Sequence, residues 1–111
     1  ASFTATVPHY SRQKGPAHSK VVPLFYMDTL AGVNFIPTIY VDITDYIETK
    51  IRMTACHESQ IKWMKEHDGI DFLDFVRTCS KYRGLQCGKA YAEGFTQCLA
   101  WPRLTTERLL P

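Results

Sequence analysis

The run Ile39-Tyr40-Val41-Asp42-Ile43 passes directly into Thr44-Asp45-Tyr46-Ile47-Glu48-Thr49-Lys50-Ile51, and the change of period between the two decides the fold class. The first part is rich in β-branched and aromatic side chains, the composition of a strand. In the second, Ile47 and Ile51, continued by Ala55, repeat at helical spacing. Asp45 stands three residues before Glu48, the pattern of a capping box with Asp as the cap. The spacing predicts a helix from Asp45 to about Glu66. Glu58 falls on its apolar face, so a bend is expected near that point, and Asp68-Gly69 ends it.

Upstream, Val21, Val22, Leu24, Phe25, Tyr26 and Met27 form a nearly continuous apolar run broken by Pro23. Such runs suit strands buried on both faces, as in parallel sheets. Pro23 belongs at the start of that strand, where its missing N–H does least harm. Asp28 to Thr38 reads as a loop, with Gly32, Asn34 and Pro37 in it. Downstream, a second helix is expected from Ile70 to about Lys81, with Leu73, Val76 and Ser80 on one face and Phe72 and Phe75 flanking it. Arg83-Gly84 and Gly88 break that pattern. Ala90 to Leu99 suits a short strand followed by a helical turn, and Pro102 stops whatever precedes it. The expected fold is therefore α/β, with two to three strands and two main helices. Two strands make a poor sheet alone, so this sheet looks like part of a larger one. Residues 1–20 read as a basic loop with the remnant of an upstream helix, and residues 21–111 as the α/β segment.

The bulk composition narrows the function. The chain has 111 residues, 45% of them hydrophobic and 22% charged, which suits one packed domain. The net charge of +2 is too small to imply nucleic acid or a membrane as partner. No apolar run approaches the ~20 residues that span a bilayer, and the first residues lack the charged start and apolar stretch of a signal peptide. A cytoplasmic location is expected. The first residue is Ala1, not Met, so a processed chain or a piece of a longer one is expected. Cys56, Cys79, Cys87 and Cys98 form no C-x-x-C pair and no metal-ribbon spacing. Reduced, mostly buried thiols are expected.

Few residues offer chemistry. His57 sits in Cys56-His57-Glu58-Ser59-Gln60, expected mid-helix. A zinc-protease helix needs a second His four residues on, and position 61 is Ile. His9 and His18 lie in the basic segment, and His67 lies at a helix end. No phosphate-binding glycine loop and no G-x-S-x-G nucleophile turn is present. The better candidate is the loop after the first strand, because ligands in open α/β sheets bind beyond the carboxyl ends of strands. It offers Asp28, Thr29 and Asn34 as hydrogen-bonding groups beside Leu30, Val33 and Phe35. A packed connector or a subunit contact fits the same residues equally well.

Three stretches, taken in order, resemble the LmbE/PIG-L family of N-acetylglucosamine deacetylases. They are Tyr40-Val41-Asp42-Ile43-Thr44-Asp45 with Lys50, His57-Glu58-Ser59-Gln60, and Gly88-Lys89-Ala90-Tyr91-Ala92-Glu93-Gly94-Phe95. The last two look like the family's His-x-Ser-Gln and Gly-x-x-Tyr-Ala-Glu-x-Phe segments. The resemblance implies a Rossmann-like sheet of which this chain holds only the later part. It implies hydrolysis of the acetamide of an N-acetylated amino sugar, with zinc polarising the carbonyl and activating water. The family's zinc is held by Ala-His-Pro-Asp-Asp-Glu and His-Pro-Asp-His. Neither occurs here: no Asp-Asp pair exists, and His9-Tyr10-Ser11-Arg12 is not the second motif. No metal ligand, catalytic residue or general base therefore carries over. His57, Ser59, Gln60, Tyr91 and Glu93 match family positions without an assigned role.

Three expectations follow. The chain is a truncated deacetylase segment, inactive alone and holding no metal. Alternatively it is a self-associating interaction module, because absent strands leave an open edge and apolar surface that seek a second copy or a complementary segment. The third is a small metal or thiol protein that uses His9, His18, His57 or the cysteines afresh.

Overall fold

The computed structural model describes residues 4–8, 15–101 and 103. His9 and residues 10–12 lie outside these described residues, as does the first half of the expected upstream helix remnant, residues 1–3. The described part of that remnant, Thr4–Thr6, is a single 3-10 turn. The chain divides into two compact units, one of Ala1–Tyr26 with Gln97–Pro111 and one of Met27–Thr96.

The architecture is α/β. Strand β1 is Phe25–Met27, β2 is Ile39–Asp42 and β3 is Ala92–Gln97, in the sheet order β1-β3-β2. Three α-helices lie between β2 and β3: α1 (Ile47–Ala55), α2 (Glu58–Trp63) and α3 (Phe72–Cys87). β2 and β3 pair antiparallel, Ile39 opposite Phe95 and Asp42 opposite Ala92. The parallel arrangement suggested by the apolar run is therefore not what these strands form. Nor is that run buried: Phe25, Tyr26 and Met27 are 47%, 53% and 57% exposed. A continuous apolar run reports faces that would gain from cover, and here the described residues leave them half open. Pro23 sits ahead of the strand rather than in it.

The strand-to-helix transition occurs where the period changes, but no side chain caps α1. Asp45 makes no cap. The Asp42 carboxylate at the end of β2 accepts from the Thr44 N–H at 3.0 Å, and a 3-10 turn, Thr44–Tyr46, leads into α1. That hydrogen bond, with Lys89 nearby at 3.2 Å, lowers the Asp42 pKa to about 2. The single long helix to Glu66 is broken at Cys56 and His57, where His57 takes φ −86° and ψ 54°. The break falls one residue before Glu58, which would put a carboxylate on the buried stripe. Beyond α2 a π-helical turn, Met64–Asp68, ends at Gly69 in the left-handed region.

Helix α3 starts at a sound cap, Asp71 accepting from Asp74 N–H at 3.1 Å. It does not stop at Lys81 but runs six residues further, to Cys87. Gly84 is no terminator. A Cβ there would lie 2.6 Å from the Lys89 carbonyl oxygen and 2.8 Å from the Ala90 carbonyl, so the glycine lets the chain leading to β3 cross close against the helix. Gly88, at φ 73°, is the real stop. The face predicted from Val76 and Ser80 continues through Arg83 and Gly84, and Ser80, Arg83 and Gly84 are the buried residues of the helix. Helix α1 packs on α3, and Arg77 fastens them by a two-pronged bond to Glu48 at 2.6 and 3.1 Å.

The core is thin. Ile43, Ile47 and Ala92 are the buried apolar residues of the Met27–Thr96 unit and Cys98 that of the other, and no large side chain is fully buried among those described. The cysteines are unpaired but not mostly buried, since Cys56 is exposed, Cys79 and Cys87 are half-buried and Cys98 alone of the four is buried. The expected strand over 90–99 is β3, followed by a single turn closed by Arg103 N–H to the Ala100 carbonyl at 2.8 Å.

Candidate functional site

The loop after β1 is fixed from α3. Arg83, 5% exposed, donates through Nε to Asp28 Oδ2 at 2.5 Å, through Nη1 to Gln86 Oε1 at 2.8 Å, and through Nη2 to the Phe35 carbonyl at 3.3 Å. Gln86 Oε1 also accepts from the Tyr40 hydroxyl at 3.3 Å, so the network reaches β2. Asp28 raises the pKa of the guanidinium further by accepting its hydrogen bond. Burial of this pair is tolerable because the guanidinium meets several acceptors. Asp28 Oδ1 is buried with no hydrogen-bond partner among the described residues.

Arg83 also explains the shape of the loop. Ala31 and Asn34 take φ 65° and 56°, and Gly32 between them takes 66°. A non-glycine residue in this region costs about 1–2 kcal/mol. A Cβ at Gly32 would lie 2.5 Å from Arg83 Nη2, so the backbone lies directly against the guanidinium.

A cleft of about 170 Å³ opens beside the loop, lined among others by Asp28, Thr29, Arg83, Ser80, Lys50 and Glu93. Lys50 on α1 donates to Glu93 on β3 at 2.7 Å. Both residues also line a second cleft of about 410 Å³ with Tyr46, Thr49, Met53 and His57. Lys50 thus offsets the charge of Glu93 between two openings.

The sequence candidates divide accordingly. Asp28, Thr29 and Glu93 line the first cleft, while His57 and Glu93 line the second. Phe35 contributes its carbonyl to Arg83, and Asn34 is exposed at the loop's left-handed bend. Ser59 and Gln60 are exposed on α2. Tyr91 joins β3 to the segment after β2, its carbonyl accepting from Ile43 N–H at 3.1 Å, and its hydroxyl helps to raise the pKa of Arg77, after the larger effect of Glu48. His18 contacts the Lys20 backbone, and His67 stacks on Trp63 with Nδ1 2.7 Å from Asp68.

Arg83 does not stand out in the sequence, because Arg83-Gly84 has the look of a helix break. Its position seven residues after Val76 and three after Ser80, on the apolar face of a helix, was the signal available.

In the unit that holds the chain ends, Cys98 accepts from the Ala100 N–H and from the Tyr26 hydroxyl, which lowers the thiol pKa and raises that of the phenol. A zinc site does not fit the described residues. No three His, Cys, Asp or Glu side chains converge among them, and Glu93 is engaged by Lys50. No helix of the described residues is long and apolar enough to cross a membrane. Compared with protein families, curated proteins and solved structures, the chain matches none.

Proposed function

We propose that this chain is the carboxyl-terminal, supporting part of a cytoplasmic sugar N-deacetylase of the LmbE/PIG-L type, and that by itself it is not catalytic. The parental reaction is zinc-dependent hydrolysis of the acetamide of an N-acetylglucosamine-type substrate. One observation carries the reading. Lys50 of the first stretch and His57 of the second are seven residues apart, but Glu93 of the third lies 36 residues further on, and all three line one cleft. Residues that share a role gain from such convergence, and unrelated matches have no reason to meet. The absent His-Pro-Asp-His and Asp-Asp-Glu motifs argue that the metal and the general base must come from elsewhere. The test is acetate release from N-acetylglucosamine compounds by the pure 111-residue chain, with and without added zinc. No release is expected, and zinc-dependent turnover at the verified mass overturns the reading.

A second reading has its own support. β1 and β2 are the two outer strands of the sheet; Val41 on β2 is 45% exposed, and Phe25, Tyr26 and Met27 of β1 are about half exposed. Open edges with apolar side chains favour pairing with another chain. A self-associating module without enzymatic role would show a mass that rises with concentration in sedimentation equilibrium. A monomer across the whole range sinks this second reading and leaves the first untouched.

A further inference from the structure

We propose that residues 29–35 form a latched flap, which Arg83 holds between two clefts and whose release joins them. This inference does not depend on the deacetylase reading. It starts from where the segment is fastened. Asp28, just before it, is held by Arg83 Nε, and the Phe35 carbonyl at its far end is held by Arg83 Nη2. Gly32, in the middle, lies against the same guanidinium. One side chain therefore fastens both ends and the centre.

The segment has little other reason to keep this form. Val33 inside it and Ile36 just beyond it are 68% and 83% exposed, so apolar burial holds neither, while Phe35 is half-buried. Ala31 and Asn34 sit in the left-handed region that non-glycine residues avoid. Inside the segment, the Gly32 N–H bonds the Thr29 carbonyl at 3.0 Å and the Phe35 N–H bonds the Gly32 carbonyl at 3.2 Å. These two turns depend on the strained angles and are lost when the angles relax. Strained backbone persists only where its surroundings over-determine it, and here the surroundings are Arg83.

There is room for movement. Two clefts adjoin the segment: one of about 170 Å³, lined by Thr29 and Ala31, and one of about 270 Å³, lined by Gly32, Thr78 and Tyr82. Asp28, Ala31, Cys79 and Arg83 line both. The flap and its latch are thus the partition between them. Lifting the flap opens one continuous channel with Cys79 on its wall. The hinges are at Asp28, whose N–H bonds the Gly94 carbonyl at 3.0 Å, and at Ile36, whose carbonyl accepts from Thr96 Oγ1 at 3.2 Å.

The test compares the wild-type chain with Arg83→Lys and Gly32→Ala by amide hydrogen exchange and by the rate of Cys79 alkylation, resolved by peptide mass. The lysine keeps the charge but not the three-way grip. The alanine leaves Arg83 intact but places a methyl group against Nη2 at a strained φ. Both variants are expected to exchange the Phe35 amide at least tenfold faster and to alkylate Cys79 several-fold faster. The Ile43 amide, bonded across to Tyr91, is expected to accelerate less than the Phe35 amide, because any loss of global stability reaches both while loosening of the flap reaches Phe35 alone. Unchanged rates at Phe35 and Cys79 overturn the proposal, and so does equal acceleration at Ile43, which would make Arg83 a general support. If Arg83→Lys does not fold, Gly32→Ala decides alone by the same criteria.

Discussion

Lys50 on α1 and Glu93 on β3 meet at 2.7 Å although 43 residues separate them. Their side chains are 29% and 23% exposed, so the pair is neither a surface ion pair nor a fully buried one. Measured values for those two classes are about 0.2–1 and 3–5 kcal/mol on loss of one partner. Lys50→Ala or Glu93→Ala is expected to cost about 1–2 kcal/mol, between the two ranges. A double-mutant cycle in urea should return a coupling of about 1 kcal/mol. A coupling near zero would mean that the two side chains act separately.

Asp28 and Arg83 should behave differently. Arg83 is almost fully buried, and Asp28→Ala leaves its guanidinium without the carboxylate. The expected cost is about 3–5 kcal/mol, a large share of the stability of a domain this size. Urea unfolding followed by tryptophan fluorescence reads it directly. A loss below 1 kcal/mol would show that Gln86 and the Phe35 carbonyl satisfy Arg83 without help.

Two glycines of similar appearance in the sequence should also differ. Gly84→Ala brings a methyl group against the Lys89 and Ala90 backbone, which cannot swing aside, and is expected to cost about 2–3 kcal/mol. Gly69→Ala meets nothing within 4 Å and carries only the strain of φ 68°, about 1–2 kcal/mol. Thermal melts of the pair test the ranking, which a larger loss at Gly69 would reverse.

Acid should weaken the fold through Asp42. Its pKa falls from 3.8 to about 2 in the folded chain, so the folded state holds fewer protons than the unfolded state between those values. The stabilisation is complete above about pH 4 and is lost as the pH drops through 2. Glu48, lowered by Arg77, adds a loss of the same sign. Asp42→Asn is expected to flatten the fall in urea midpoint between pH 4 and pH 2. An unchanged slope would assign the acid sensitivity to other groups.

Much of this was legible in the order of residues. The change of period after Ile43 located β2 and α1, and the apolar face expected from Ile70 belongs to α3, which starts at Phe72 behind the Asp71 cap. What escaped was set by contacts distant in sequence. Gly84 reads as a helix breaker until the Lys89 carbonyl is seen against it. Asp45 reads as a cap from its spacing to Glu48, but a 3-10 turn takes up Thr44–Tyr46 and no side chain caps α1. The break at His57, by contrast, was signalled by Glu58 falling on the apolar stripe. The Val21–Met27 run correctly announced a strand, but the direction of its neighbours is not written in its apolar content. The candidate loop was found from its place after β1, whereas its anchor, Arg83, lies 55 residues later.

The sheet order gives the last strand a particular place in the birth of the molecule. β3 lies between β1 and β2, so during synthesis neither earlier strand has its neighbour until residues 92–97 emerge. Roughly fifty residues separate β2 from β3, a wait of several seconds at about 5–20 residues per second. Through that interval the nascent chain displays two lone strands, one of them Phe-Tyr-Met, to everything near the ribosome exit. Chaperone occupancy should therefore rise after β1 appears and fall once β3 is out.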